Sequence, residues 1–126
     1  MLMVTITARA QDRKPLSQLL LVADNDEGTF LGTFGDESEA DSIFYDLGNY
    51  GSRFSSTSIF NQFSEYGSEF STYSAFNEFA AHPPIIVDYK GNVYGRLSVN
   101  RFANGVTAQS YQLAKRLKAR WNALNK

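Results

Sequence analysis

Two short apolar runs, each broken by an acidic glycine turn, bracket a long polar-aromatic middle. Leu19 to Ala23 and Thr29 to Phe34 flank Asp24-Asn25-Asp26-Glu27-Gly28, which predicts a hairpin. Ile85-Ile86-Val87 leads through Asp88-Tyr89-Lys90-Gly91 into Asn92 to Val99, which predicts a second. The two align: Val22-Ala23-Asp24 matches Ile86-Val87-Asp88, Gly28 matches Gly91, and Phe30-Leu31-Gly32 matches Val93-Tyr94-Gly95. They are expected to pair as one antiparallel sheet. Upstream, Leu2, Val4 and Ile6 alternate with Met3, Thr5 and Thr7, the period of a strand over Met1 to Ala10. Gln11 to Gln18 is mostly polar, holds Pro15 and reads as a connection.

The middle is repetitive. Ser42-Ile43-Phe44 recurs as Ser58-Ile59-Phe60 and Ser74-Ala75-Phe76, sixteen residues apart. Tyr50-Gly51-Ser52-Arg53-Phe54-Ser55 recurs as Tyr66-Gly67-Ser68-Glu69-Phe70-Ser71. Within Ser42 to Ala81 the large apolar residues fall at Phe44, Leu47, Tyr50 and Phe54, then at Phe60, Phe63, Tyr66 and Phe70. That spacing is near helical, but the filler is Ser, Gly, Asn and Thr, which favour turns and caps. Short single-turn helices are predicted, started by Ser42, Ser58 and Ser74 as N-caps. The first two are expected to break at Gly51 and Gly67, with positive φ there.

His82-Pro83-Pro84 closes the repeats and forces extended backbone. Thr107 is the predicted cap of a helix ending near Leu124. Leu113, Leu117, Trp121 and Leu124 line one face of it, with Lys115, Arg116, Lys118 and Arg120 around the rest. The elements sum to an α+β fold in a single domain over residues 1–126: two related hairpins in one antiparallel sheet, the repeats as crossover, and a C-terminal amphipathic helix over an open face or edge.

Composition adjusts this picture in three ways. Aromatics make up 14 % of 126 residues, which implies an aromatic-rich core. The absence of cysteine excludes disulfides, thiolate catalysis and Cys-ligated metals. No stretch has the roughly twenty apolar residues of a membrane helix, and the apolar start is too short, and lacks the basic lead, for a usable signal peptide. The compartment is left open.

Charge is segregated. Leu16 to Asp88 carries twelve acids and one base, Arg53, whereas Tyr89 to the end carries eight bases and no acid. Either the basic tail folds back on the acidic repeats, or it meets a partner, an unidentified protein or a second copy, through Lys115, Arg116, Lys118 and Arg120. The acidic repeats would repel nucleic acid, although the basic helix with Trp121 has groups that could contact it.

These motifs resemble a group of bacterial proteins of unknown function. Its members have a strand with an aspartate and glycine turn, a Leu-Gly step, and tandem Ser-Ile-x-Asn-x-Tyr-Gly-x-Tyr-Gly-Ser-x-Tyr-Ser repeats. Pro-Pro and a second glycine turn follow. The carriers are Phe30-Leu31-Gly32, Asp41-Ser42-Ile43, Tyr50-Gly51-Ser52, Phe60-Asn61, Tyr66-Gly67-Ser68, Phe76-Asn77, Pro83-Pro84 and Leu97-Ser98-Val99-Asn100, over about two-thirds of the chain. Tyr45 departs from the asparagine at Asn61 and Asn77, and Ser64 from the glycine at Gly48. The resemblance implies no activity. Many members of the group look secreted.

Candidate chemistry is sparse. Asp24-x-Asp26-x-Gly28 is half of a calcium-loop pattern, but the twelfth position is Gly35, which has no side-chain oxygen. Calcium held by Asp24 and Asp26 is the one cofactor the pattern allows, and none is required. The single histidine, His82, sits beside two prolines with no sequence sign of a triad. Glu65, Glu69 and Glu78 lie among aromatics and would serve a carboxylate-dependent hydrolase if two converged. No phosphate-binding glycine loop is present. Asn61, Asn77 and Asn100 can tie neighbouring turns through their amides.

No catalytic residue emerges, and the reading is a non-catalytic interaction or binding module. Its ligand-contacting candidates are Tyr50, Tyr66, Tyr73, Asn61 and Asn77. The alternatives are a secreted carbohydrate- or divalent-metal-binding protein using those tyrosines, the hydrolase, and a self-assembling protein whose basic helix docks on the acidic repeat of the next copy.

Overall fold

The computed structural model describes residues 14–125; the strand predicted over Met1 to Ala10 lies outside them. A 3-10 turn, Leu16–Gln18, leads into β1 (Leu20–Val22) and β2 (Phe30–Thr33). After the repeats come β3 (Ile85–Val87), β4 (Val93–Arg96) and one α-helix, α1 (Ala108–Asn125). The four strands form an antiparallel sheet in the order β2-β1-β3-β4, so the hairpins meet along their first strands. The fold is α+β.

The two hairpins carry the same irregularity. Leu21 pairs with Gly32 and Val22 with Phe30, leaving Leu31 as an extra residue. Ile86 pairs with Gly95 and Val87 with Val93, leaving Tyr94 extra. Each bulge ends on a glycine in the left-handed half of φ, 115° at Gly32 and 134° at Gly95. Across the join Leu21 pairs with Ile86 and Val22 with Ile85. Leu21, Leu31 and Ile86 put this sheet's inner face into the core.

The crossover is a run of tight turns. From Ser52 onward, successive backbone N–H groups bond the carbonyl three residues back: Ser55 to Ser52, Ser58 to Ser55, Asn61 to Ser58 and Ser64 to Asn61. One longer step then follows, Ser68 to Ser64, and the three-residue steps resume at Ser71 and Ser74. Four steps of three and one of four make the sixteen-residue period. Each turn is pinned by its first side chain. Ser52, Ser58, Ser68 and Ser74 accept from the N–H of Phe54, Phe60, Phe70 and Phe76 at 3.0–3.1 Å. The Oδ1 atoms of Asn61 and Asn77 do the same for Phe63 and Phe79.

The single turns expected here are present, but no two overlap into a helix. Serine and asparagine oxygens capture the N–H groups that a helix would need for its own ladder. The amides of Asn61 and Asn77 also reach back to the carbonyls of Ser55 and Ser71, both at 2.9 Å, and tie one turn to an earlier one.

The expected positive φ at Gly51 and Gly67 is not found. Glycine is required there for another reason. These are the additional residues of the four-residue steps, and a Cβ would collide with the carbonyl of Tyr45 at Gly51 or of Asn61 at Gly67.

Helix α1 begins with a reciprocal cap. Thr107 Oγ1 accepts from Ser110 N at 3.0 Å, and Ser110 Oγ accepts from Thr107 N at 2.8 Å. Leu113, Leu117 and Trp121 are buried as the periodicity predicts, and Leu124 is half-buried. The indole N–H of Trp121 donates to Gly67 O at 2.8 Å, and its ring lies 6.2 Å from Phe76, which stacks on Phe60 at 6.3 Å. The helix thus covers the inner side of the repeats and shares one core with the sheet. Among the described residues no helix is long and apolar enough to cross a membrane.

A methyl group at Gly67 must displace backbone rather than a flexible side chain. Gly67→Ala is expected to cost about 2 kcal/mol, in the range of core overpacking. Urea denaturation checks it; an unchanged midpoint would remove the close contact from the account.

Candidate functional site

The third residue of most turns is an aromatic ring, and the turns differ in direction. Phe60, Tyr66 and Phe76 point inward and are buried. Phe54, Phe63, Phe70 and Phe79 point outward, and with Phe102 they are between 78 % and 91 % exposed. Leu47, at the matching position of the first repeat, is also exposed. An outward ring is held at its backbone N–H as firmly as an inward one, so its exposure is fixed by the turn and not by fraying.

The exposed rings occupy two recurring positions of the repeat. Phe63 and Phe79 follow Asn61 and Asn77, and Phe102 outside the repeats is held in the same way by Asn100, whose amide donates to Glu78 O at 2.9 Å. Phe54 and Phe70 follow Ser52 and Ser68. Phe54 and Phe63 flank one hollow of about 250 Å³. Phe79 and Phe102 flank another of about 330 Å³ with Glu78, Arg101 and Tyr111. Guanidinium groups lie over two of the rings, Arg53 at 4.6 Å from Phe54 and Arg101 at 5.2 Å from Phe102.

Of the residues singled out from the sequence, Asn61 borders the hollow at Phe54 and Phe63, and the tyrosines are turned to other contacts. Tyr66 is buried, with its hydroxyl accepting from Asn25 Nδ2 at 3.2 Å. Tyr50 is half-buried edge-on to Phe30 at 4.9 Å, and Tyr73 is half-buried and stacked on His82 at 5.9 Å. Asn61 and Asn77 are buried, and both ends of each amide are spent on backbone. The hydroxyl of Tyr66 thus finds an internal partner. The signal that finds the outward rings is the three-residue register, with Ile43, Ile59 and Ala75 marking the inward turn.

The basic helix is divided. Lys118 Nζ pairs with Glu69 at 2.6 Å and lies 3.5 Å from the Trp121 ring, and Arg120 donates to Phe44 O at 3.1 Å. Arg53 in return donates to Leu124 O at 2.9 Å, meeting an open carbonyl at the helix end. Lys115 and Arg116 are exposed. Part of the basic tail therefore folds back on the acidic repeats within the chain. Of the three candidate carboxylates, Glu69 is taken by Lys118, while Glu65 and Glu78 are exposed.

At the end of the repeats Asp24 Oδ2 accepts from Arg96 Nη1 at 2.7 Å and from His82 Nδ1 at 3.1 Å, while Arg96 Nη1 also reaches Pro83 O. This ties the first hairpin, the end of the repeats and β4 together. It also matches Asp24 with a guanidinium, and Asp26 is exposed. Among the described residues no three acids or histidines gather as a metal site would need. Burial alone would raise the Asp24 pKa; the bonds from Arg96 and then His82 outweigh it and hold the carboxyl below its ordinary value. The matching Asp88 is held well below it, first by the Asn92 side chain, with burial opposing, and then by the Asn92 and Lys90 N–H groups and Tyr94.

Compared with protein-family models, curated proteins and solved structures, the chain matches none.

Because the Asp24 pKa is depressed in the fold, its contribution to stability is present above the unfolded value of about 3.9 and is lost as pH falls through the folded value. The urea midpoint of the wild type should therefore drop more steeply than that of Asp24→Asn between about pH 5 and about pH 1. Equal slopes would show that the Arg96 pair contributes nothing to stability.

Proposed function

We propose that this protein is a non-catalytic interaction module whose contacts are made by its exposed rings. One observation carries the reading: five phenylalanines are largely exposed although each is fixed by an ordered turn. Each ring leaves most of its roughly 200 Å² of apolar surface bare. The turns are held by backbone and by Ser or Asn, so the turn itself does not call for phenylalanine at these positions. A partner that covers the rings supplies the need. The exposed Lys115 and Arg116 lie on the helix and would add a separate electrostatic contact.

A second reading is sugar binding, favoured by a hollow of about 630 Å³ where Phe79 and Phe102 stand as walls beside Asp24, His82, Arg96 and Asn104. Ring faces and mixed donors and acceptors suit a neutral saccharide, and the size falls among small-ligand sites. Calorimetric titration with neutral oligosaccharides checks it, with heat lost in Phe102→Ser if it holds.

The module reading is tested by affinity capture from the source cell's lysate, at low and high salt. The bait is the wild type or a variant with Phe54, Phe63, Phe70 and Phe79 changed to Ser. Apolar contacts are not screened by salt, so a saturable component should stay on the wild type at high salt and be lost from the variant. Equal retention on both baits would overturn the reading.

A further inference from the structure

A cavity of about 710 Å³ lies between the sheet and the first turns of α1, and none of the exposed rings lines it. We propose that it binds a small carboxylate with an apolar tail, of the medium-chain fatty acid class. Its volume falls in the range of small-ligand sites. Three elements build it: the 3-10 turn with Leu16 and the following Leu19, β3 with Ile86, and α1 with Leu113. Its walls are set by the fold. Gly95 lets the start of α1 seat closely on β4, because a Cβ there would come within 3.3 Å of the Thr107 methyl and 3.4 Å of Ser110 Oγ.

Two properties of the lining choose the ligand. The first is an apolar floor made by the core itself: Leu19, Ile86 and Leu113 are each 7 % exposed or less. At the rim Leu16 is exposed, and its turn buries no residue. Such a floor favours an apolar body, since a bare polar group set on it would lose its water without gaining a partner. The second is charge of one sign. Among the described residues the charged groups of the lining are Lys14 and Arg116, and no acid joins them. Both are exposed, and neither belongs to an ion pair, in contrast to Lys118 on Glu69 and Arg96 on Asp24. The first turn of α1 holds no acid either, so the positive end of the helix adds to the same sign. Gln109 sets an amide donor beside the cations. A carboxylate at the rim, with its tail on the floor, satisfies both properties. Inorganic phosphate would leave the floor uncovered, and a neutral sugar would leave the cations unmatched.

The test is a proton–nitrogen NMR titration of the full chain at low salt with octanoate, decanoate, octan-1-ol and octylammonium, with melting curves as a folding control. Octanoate is expected to shift the amides of Ile86, Gln109 and Leu113 in a saturable way. Decanoate should bind on the order of tenfold tighter for its two further methylenes. Octan-1-ol should bind about tenfold more weakly than octanoate, and octylammonium more weakly still, because only the carboxylate accepts charge-assisted bonds from the rim. Lys14→Gln/Arg116→Gln, two surface changes that leave the fold intact, should bring octanoate to the level of the alcohol. Equal affinity for octanoate and octan-1-ol, or octanoate binding unchanged in that variant, overturns the choice of an anion and with it the proposal. Shifts that vanish in Phe63→Ser/Phe79→Ser place the tail on the exposed rings and overturn the site. No saturable shift with any of these probes overturns the proposal and leaves the interaction-module reading, which rests on other residues, untouched.

Discussion

The structure depends on one small interaction: a serine or asparagine oxygen accepting the backbone N–H two residues ahead. It recurs along the repeats, at Ser52, Ser55, Ser58, Asn61, Ser64, Ser68, Ser71, Ser74 and Asn77. A stretch with neither helix nor strand must still satisfy its backbone polar groups. Here the side chains take one N–H per turn, and the three-residue turn bond takes another. The result is an ordered backbone that is neither of the two regular structures.

That interaction fixes where the rings go. Because the held N–H belongs to the residue two after the serine or asparagine, the ring of that residue is set by the turn. Some turns face the core and others solvent, so a single sequence rule supplies both the core rings Phe60 and Phe76 and the outer rings Phe63 and Phe79. The inner rings give α1 a surface to pack on, with Trp121 bonded to Gly67. The outer rings have no such cover within the described chain, and from them comes the function proposed above.

The ends of this coil are held by the sheet. Ile43 N–H bonds Thr33 O at the close of the first hairpin, and Val99 N–H bonds Ala75 O after the second. Since the hairpins pair along β1 and β3, they close the crossover into a loop with both ends anchored. Asp24 and Arg96, far apart in sequence, fasten it where the repeats return to the sheet. Fixed ends and a close-packed inner side hold the outer rings in place.

Much of the architecture was legible in the residues. The kinship of the two hairpins follows from aligned Asp and Gly positions, and the shared bulge at Gly32 and Gly95 bears it out. The capped helix follows from Thr107 and a 3.6-residue stripe, both local properties of the chain. The repeat was misleading because steps of three, three and four residues space apolar groups almost as a helix does. Only the hydrogen bonds distinguish the two, and they depend on which acceptor wins each N–H in space. The same limit applies to the rings. Tyr66 and Phe63 differ little in sequence context, yet one is buried and the other is bare, because the direction of a turn is set by what packs on its other side. Sequence by itself determined the two hairpins, the C-terminal helix, the period and the charge halves, since these rest on neighbouring residues. The tertiary structure alone decided which rings, carboxylates and cations remain available, since that rests on contacts between residues tens of positions apart.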